Sequence, residues 1–349
     1  MILDSIKIIF PAFLTFLVGM AITPYLTDFL YKSKMWKKTS VQKTLDGQVA
    51  TISQKLHNDE ERKTPRMGGV IIWLSVLITS FLLMILSFFF DSSFVKLSFL
   101  SRNQTWLPLF TLIATALVGL IDDYLVCRNS GSYLGGGLSL RKRLLAVGLV
   151  GLIGAWWFYT KLEVASILIP YIGTVFVGPI FIIIFLLYII GMYSGGIIDG
   201  VDGLSGGVFS IIYSAFALLA FHNQQINLAA FCMAIVGGLL VFLWFNIPPA
   251  RFFLSETGTM SLTTTLVVVA FLTGHIIPLL IIALPLIATS ASSLIQILSK
   301  KFRGKKVFLV APLHNHFQAL GWPAYKVTMR YWVISAVCAF IGVIIALIS

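Results

Sequence analysis

Leu112-Ile113-Ala114-Thr115-Ala116-Leu117-Val118-Gly119-Leu120-Ile121-Asp122-Asp123 is an apolar run that stops on two adjacent carboxylates. The run has the texture of a membrane-spanning helix, and acids at membrane depth are expensive enough that they usually serve a purpose. Outward from it the same texture repeats. Of 349 residues, 58% are hydrophobic and 11% charged, against roughly 25% charged in soluble domains, and the mean hydropathy is +0.96. The apolar stretches are long enough to cross a hydrocarbon core of about 30 Å as helices, which satisfy their own backbone groups. The alternation of a membrane barrel strand is absent.

These features predict an all-α integral membrane protein, one polytopic domain over residues 1–349 with about ten transmembrane helices. The spans read 5–30, 67–90, 106–122, 141–159, 174–193, 204–221, 227–245, 259–273, 276–298 and 327–348. The first stretch is too long for a signal-peptide core and lacks an obvious cleavage site, so it is read as helix one. Connecting segments 31–66, 123–140, 246–258 and 299–326 are basic; 91–105, 160–173, 222–226 and 274–275 are nearly uncharged. Of 25 Lys and Arg, only Lys7, Lys96, Arg102 and Lys161 lie away from the basic set. The positive-inside rule therefore places the basic set in the cytoplasm and both termini outside. The net charge of +12 follows from that rule and from anionic lipid headgroups; no nucleic-acid motif is present, so no nucleic-acid partner is expected. Cys127, Cys232 and Cys338 are too scattered for a disulfide framework or a zinc site.

Acids are few, 13 in all, so their positions carry information. Asp122, Asp123, Asp199, Asp202 and Glu256 all fall at the expected cytoplasmic ends of helices. Carboxylates gathered on one face suit a hard cation such as Mg²⁺, which keeps some waters and bridges to a phosphate. The competing reading is that each acid caps a helix N-terminus or pairs with a loop cation. Gly195, Gly196, Gly200, Gly203, Gly206 and Gly207 surround Asp199-Gly200-Val201-Asp202-Gly203, allowing close backbone approach to a ligand or close helix packing. No Walker loop or GxGxxG motif occurs. The last basic loop carries Lys300-Lys301-Phe302-Arg303-Gly304-Lys305-Lys306 and then His314 and His316. The lysines suit membrane anchoring; the histidines suit phosphate contact, proton transfer or metal ligation.

In order along nearly the whole chain, these motifs resemble the polyprenyl-phosphate N-acetylhexosamine-1-phosphate transferases. Thr64-Pro65-Arg66-Met67-Gly68-Gly69 is similar to that family's approach to helix two. Gly119-Leu120-Ile121-Asp122-Asp123-Tyr124-Leu125 resembles its paired-aspartate motif, and Gly137-Leu138-Ser139-Leu140-Arg141 the start of helix four. Asp199-Gly200-Val201-Asp202-Gly203-Leu204 resembles its third motif, and Phe245-Asn246 through Glu256-Thr257-Gly258-Thr259 its fourth. Pro312 to Trp322, with Lys326 and Arg330-Tyr331-Trp332, resembles its histidine motif and favours the muramoyl-pentapeptide branch.

The resemblance implies transfer of a phospho-sugar from UDP-N-acetylmuramoyl-pentapeptide to undecaprenyl phosphate, giving lipid I and UMP in peptidoglycan synthesis. It implies a multi-pass protein of the bacterial cytoplasmic membrane, surrounded by membrane lipid, and a homodimer. It further implies that Glu256, with Asp122 and Asp123, is catalytic and holds Mg²⁺. Asp199, Asp202, Asn246, Phe253, His314 and His316 would bind substrate, with Phe253 stacking on uracil and the histidines contacting phosphates. The family usually has aspartate at Glu256, asparagines at Tyr193 and Gly196, histidine at Asn315, and lysines at Val126 and near Glu61. A glutamate's extra methylene moves a bound ion by about an ångström, a shift that can cost roughly 10²-fold in rate. A transferase for a simpler UDP-sugar and an inactive homologue are the alternatives. A channel fits less well, since the half-helix-like Asn246-Ile247-Pro248-Pro249-Ala250 occurs once and no inverted repeat is evident.

Overall fold

The computed structural model describes residues 2–37, 63–89, 97–130 and 136–348. The position near Glu61 and parts of the segments 31–66, 91–105 and 123–140 lie outside the described residues. The helices are α1 (Ile2–Lys32), α2 (Gly69–Phe89), α3 (Trp106–Cys127), α4 (Leu140–Lys161), α5 (Ile180–Tyr193), α6 (Leu204–His222), α7 (Ile226–Asn246), α8 (Ser255–Thr273), α9 (Ile276–Ile282), α10 (Leu284–Arg303), α11 (Leu313–Ala319) and α12 (Ala324–Ile348). A 3-10 turn, Ser194–Ile198, follows α5. Among the described residues nine helices are long and apolar enough to cross a membrane, or ten where the bent pair α9 and α10 counts as one span.

Two expectations are corrected. The chain is not purely helical: β1 (Ser166–Ile169) and β2 (Gly173–Phe176) pair antiparallel, with Ser166 opposite Phe176 and Ile169 opposite Gly173. The span expected from 174 therefore begins at Ile180. Gly173 and Gly178 both have positive φ, and Pro179 precedes the helix, so the turn and the helix start are both punctuated by residues that break regular structure. The span expected at 276–298 is bent by 74° between α9 and α10. Pro285 stands at the start of α10, where a missing N–H cannot continue the preceding ladder. Several helices also run further than expected, two of them at the acids. α3 continues past Asp122 and Asp123 to Cys127, and α8 begins at Ser255, so Glu256 lies in its first turn.

α8 is the central post, with 89% of its spanning window buried. It is threonine-rich and packs most closely on α3, where Thr115 and Thr264 hydroxyls meet at 2.9 Å. Small residues let the backbones approach. A Cβ on Gly69 would strike the backbone of Gly258, and one on Gly119 would strike the carbonyl oxygen of Glu256. Gly119→Ala is therefore expected to cost about 1–3 kcal/mol through overpacking. It should read as a lower melting midpoint in detergent, larger than that of Gly148→Ala, where a Cβ meets nothing within 4 Å.

Alternating helix direction collects the C-terminal ends of α1, α3, α5 and α7 and the N-terminal ends of α2, α4, α6, α8 and α12 at one end of the bundle. Hydrogen bonds tie these ends together, including Arg66 N to Met35 O at 2.8 Å and Phe253 N to Pro65 O at 2.9 Å. Asp4 of α1 and Leu347 of α12 line one cavity with His222 at the other end. Asp4 and Leu347 thus share the end opposite the acids.

Candidate active site

Three of the five acids fasten the segment that runs from α7 into α8. A helix N-terminus exposes backbone N–H groups that need acceptors, and α8 takes its acceptors from two other elements. Asp199 Oδ2 accepts from Ser255 N at 2.7 Å, and Asp123 accepts from Thr257 N at 2.9 Å through Oδ2 and from Glu256 N at 3.4 Å through Oδ1. Ser255 has φ 57°, a left-handed conformation that is costly for a non-glycine residue and persists where neighbours over-determine it. Asp202 Oδ2 accepts from Ala250 N at 3.0 Å.

Asp123 and Asp199 each have a further partner. Arg66 donates to Asp123 Oδ1 from Nε and Nη2, both at 3.0 Å. Burial works against the Arg66 charge, but the Asp123 carboxylate holds its pKa above the ordinary value. The Ser205 hydroxyl donates to Asp199 Oδ1 at 2.9 Å. Burial pushes the Asp199 carboxyl above the usual range, opposed by the Ser255 N–H and the Ser205 hydroxyl. Asn246 is 1% exposed and has both ends of its amide engaged, accepting from Gly203 N at 2.8 Å and donating to Phe252 O at 2.9 Å.

Asp122 and Glu256 are disposed differently. Asp122 Oδ1 accepts from Leu138 N at 2.6 Å, while Oδ2 lies 3.1 Å from Arg143 Nη2 outside hydrogen-bond geometry. Arg143 Nη1 donates to Glu256 Oε1 at 2.6 Å. The second Glu256 oxygen, Oε2, is 3.5 Å from the Tyr193 hydroxyl. One guanidinium from α4 thus bridges a carboxylate of α3 and one of α8. The Glu256 side chain is 23% exposed and that of Asp122 is fully buried, so the pair forms the inner wall of the site.

The remaining expected residues lie around this core. Phe253 is half-buried, and its carbonyl accepts from Gly68 N at 2.8 Å. His314 is buried against the Asp199–Gly203 turn, where its Nε2 would collide with a Cβ on Gly200. His316 Nδ1 accepts from Leu309 N at 3.3 Å, and its ring lies 5.4 Å from Phe308 and 5.9 Å from Phe317. Among the described residues no three His, Cys, Asp or Glu side chains converge as a metal cage.

The family model described as glycosyl transferase family 4 matches residues 105–274. That interval runs from the start of α3 to the end of α8 and includes both acids that Arg143 bridges. Phospho-N-acetylmuramoyl-pentapeptide-transferase of Levilactobacillus brevis is 30% identical over 85% of this chain and 89% of its own length. The chain belongs to the phospho-N-acetylmuramoyl-pentapeptide-transferase family. The proteins of that name from Anoxybacillus flavithermus, 31% identical over 97% of both chains, and from a Geobacillus strain, 30% identical over 95% of both, extend the likeness to almost the full length.

Membership leaves the roles of individual residues to be argued from the geometry here. Sequence reasoning missed Arg66, Arg143 and Tyr193 as members of the site. Arg143 had a signal. It stands in the first turn of α4 beside Arg141 and Lys142, where the helix dipole disfavours cations, so a compensating carboxylate was to be expected. The site can also take a divalent cation without a cage. Mg²⁺ at phosphate sites is held by one or two carboxylates with waters and substrate oxygens. Asp122 Oδ2 and Glu256 Oε2 are the carboxylate oxygens with the weakest protein partners in this core, whereas Asp123 has both oxygens engaged.

Proposed function

We propose that this chain transfers phospho-N-acetylmuramoyl-pentapeptide from UDP-N-acetylmuramoyl-pentapeptide to undecaprenyl phosphate, releasing UMP and forming lipid I. The observation that carries the reading is the Asp122–Arg143–Glu256 bridge, set at one end of a membrane bundle within a chain of this family. The end that holds the acids also holds most of the basic residues and faces the cytoplasm by the positive-inside rule. There it meets a soluble donor and the phosphate of a membrane-held acceptor. The membrane is the bacterial cytoplasmic one, and two copies of the chain associate as a dimer.

The chemistry joins two anions. An oxygen of the lipid phosphate attacks the sugar-linked phosphorus of the donor, and the bond from that phosphorus to the bridging oxygen breaks. The bridging oxygen leaves on UMP. Asp122 Oδ2 orients the attacking phosphate and takes its proton where it carries one. Arg143 and Arg66 supply fixed positive charge beside the reacting oxygens. Glu256, together with Asp122, would hold Mg²⁺. When bound, the ion offsets charge on the transferring phosphoryl and the leaving group. Asp123, Asp199, Asp202 and Asn246 hold the segment carrying Phe253 and Glu256 in place. Phe253, His314 and His316 line the donor side.

The test is release of UMP and formation of a lipid-linked sugar by the purified chain with Mg²⁺. Dependence on both substrates and on the divalent ion is expected, with loss of product on chelation. A donor without the peptide serves as comparison, and preference for it would replace this donor assignment with a simpler UDP-sugar. Substrate flux across a vesicle membrane without UMP release would overturn the transferase reading.

A further inference from the structure

Tyr193 is the last residue of α5, 8% exposed, and reaches the site from a helix that carries none of the paired acids. Its hydroxyl donates to Glu256 Oε2 at 3.5 Å. Arg143 donates to the other oxygen, Glu256 Oε1, at 2.6 Å. Arg143 of α4 and Tyr193 of α5 thus reach the two oxygens of one α8 carboxylate.

We propose that Tyr193 is a positioning residue for Glu256, holding the carboxylate oxygen left free by Arg143 in one direction toward the donor phosphates. The inference rests on the transferase reading and assigns a role to a residue that makes no contact with the reacting atoms.

The physical need is set by the glutamate. Its carboxylate hangs on one more rotatable bond than an aspartate's, and freezing a long side chain costs conformational entropy. Arg143 alone grips one oxygen and leaves the carboxylate plane free to turn about that contact. A second point of attachment fixes the plane. The Tyr193 contact is long enough to leave Oε2 available to a cation, so the hydroxyl steers that oxygen without consuming it.

The experiment uses the full-length chain in detergent and four proteins: wild type, Tyr193→Phe, Glu256→Asp and the double variant. Mn²⁺ binding is followed by electron paramagnetic resonance without substrates, and UMP release with Mg²⁺ is measured separately. Tyr193→Phe keeps the ring that packs in the core and removes only the hydroxyl. It is expected to weaken Mn²⁺ binding about fivefold to tenfold, the scale of one lost hydrogen bond. The kcat should fall by a similar factor while the donor KM stays within about twofold. In the Glu256→Asp background the same substitution should change neither quantity, because the shorter carboxylate does not reach the hydroxyl; this non-additivity is the signature of direct coupling. Equal effects in both backgrounds, or an active wild type whose Mn²⁺ affinity ignores Tyr193→Phe, would overturn the inference alone. A wild type that neither binds Mn²⁺ nor releases UMP would overturn the transferase reading with it.

Discussion

Asp122→Asn is expected to reduce UMP release by about 10²–10⁴-fold, the usual worth of a positioned proton acceptor, while leaving the protein folded. The amide oxygen can still accept from Leu138 N, the one hydrogen bond that Asp122 makes in full geometry. What is lost is the charge facing Arg143 at 3.1 Å and the basic oxygen beside it. Single-turnover release of UMP at saturating donor isolates the chemical step, and a melting curve in detergent checks the fold. Activity within about tenfold of wild type, with the melting midpoint unchanged, would remove Asp122 from the chemistry. Glu256→Gln is expected to give the companion result: the contact with Arg143, 2.6 Å in the wild type, loses its charge, the proposed Mg²⁺ site loses an anionic group, and transfer falls by a similar factor.

The adjacent residue should behave in the opposite way. Asp123→Ala is expected to destabilise the fold by about 2–4 kcal/mol, because it orphans a buried N–H at Thr257 and leaves the Arg66 guanidinium without its carboxylate. The Arg66 side chain is 26% exposed, so water recovers part of its loss, which keeps the figure below that of a fully buried charge. A lowered melting midpoint and faster proteolysis of the detergent-solubilised protein are the readouts. Asp123→Asn should be milder, since an amide oxygen can still accept from Thr257 N at Oδ2's place. A stable Asp123→Ala protein with unchanged melting and abolished transfer would move this residue from architecture to chemistry. Two neighbours in sequence thus separate: one variant folds without working, and the other fails to hold its shape.

The contrast marks where the sequence was legible. Composition and charge placement were enough for a helical membrane bundle whose acids and bases share one end, because hydropathy and the cost of buried charge are properties of single residues. The partners of those acids were not legible. Asp123 meets Thr257, and Asp199 meets Ser255, across long stretches of chain; a carboxylate that caps a distant helix reads the same as one that awaits a cation. Arg143 was hidden because a cation among other cations at a helix end looks like an anchor. The β1–β2 hairpin was missed because it straddles the boundary read at 173–174 between a connecting segment and an apolar run. The bend between α9 and α10 was missed because it lies inside a continuous apolar run, where hydropathy reports burial in lipid and says nothing of backbone shape. Tyr193 was visible as a departure from the family pattern, but its contact with Glu256 depends on three helices meeting.

The borrowed caps of α8 also bear on how this site is born. Helices inserted into a bilayer one after another are usually complete in their own hydrogen bonding as they arrive. The first turn of α8, which carries Glu256, draws its acceptors from α3 and from the turn after α5. Its oxygens are then gripped from α4 and α5. During synthesis α8 emerges after all of these, so Glu256 finds its setting only when the last contributor docks among the earlier ones. Before that docking step Glu256 stands apart from Asp122 and Asp123 of α3, and after it the three carboxylates are parts of one frame.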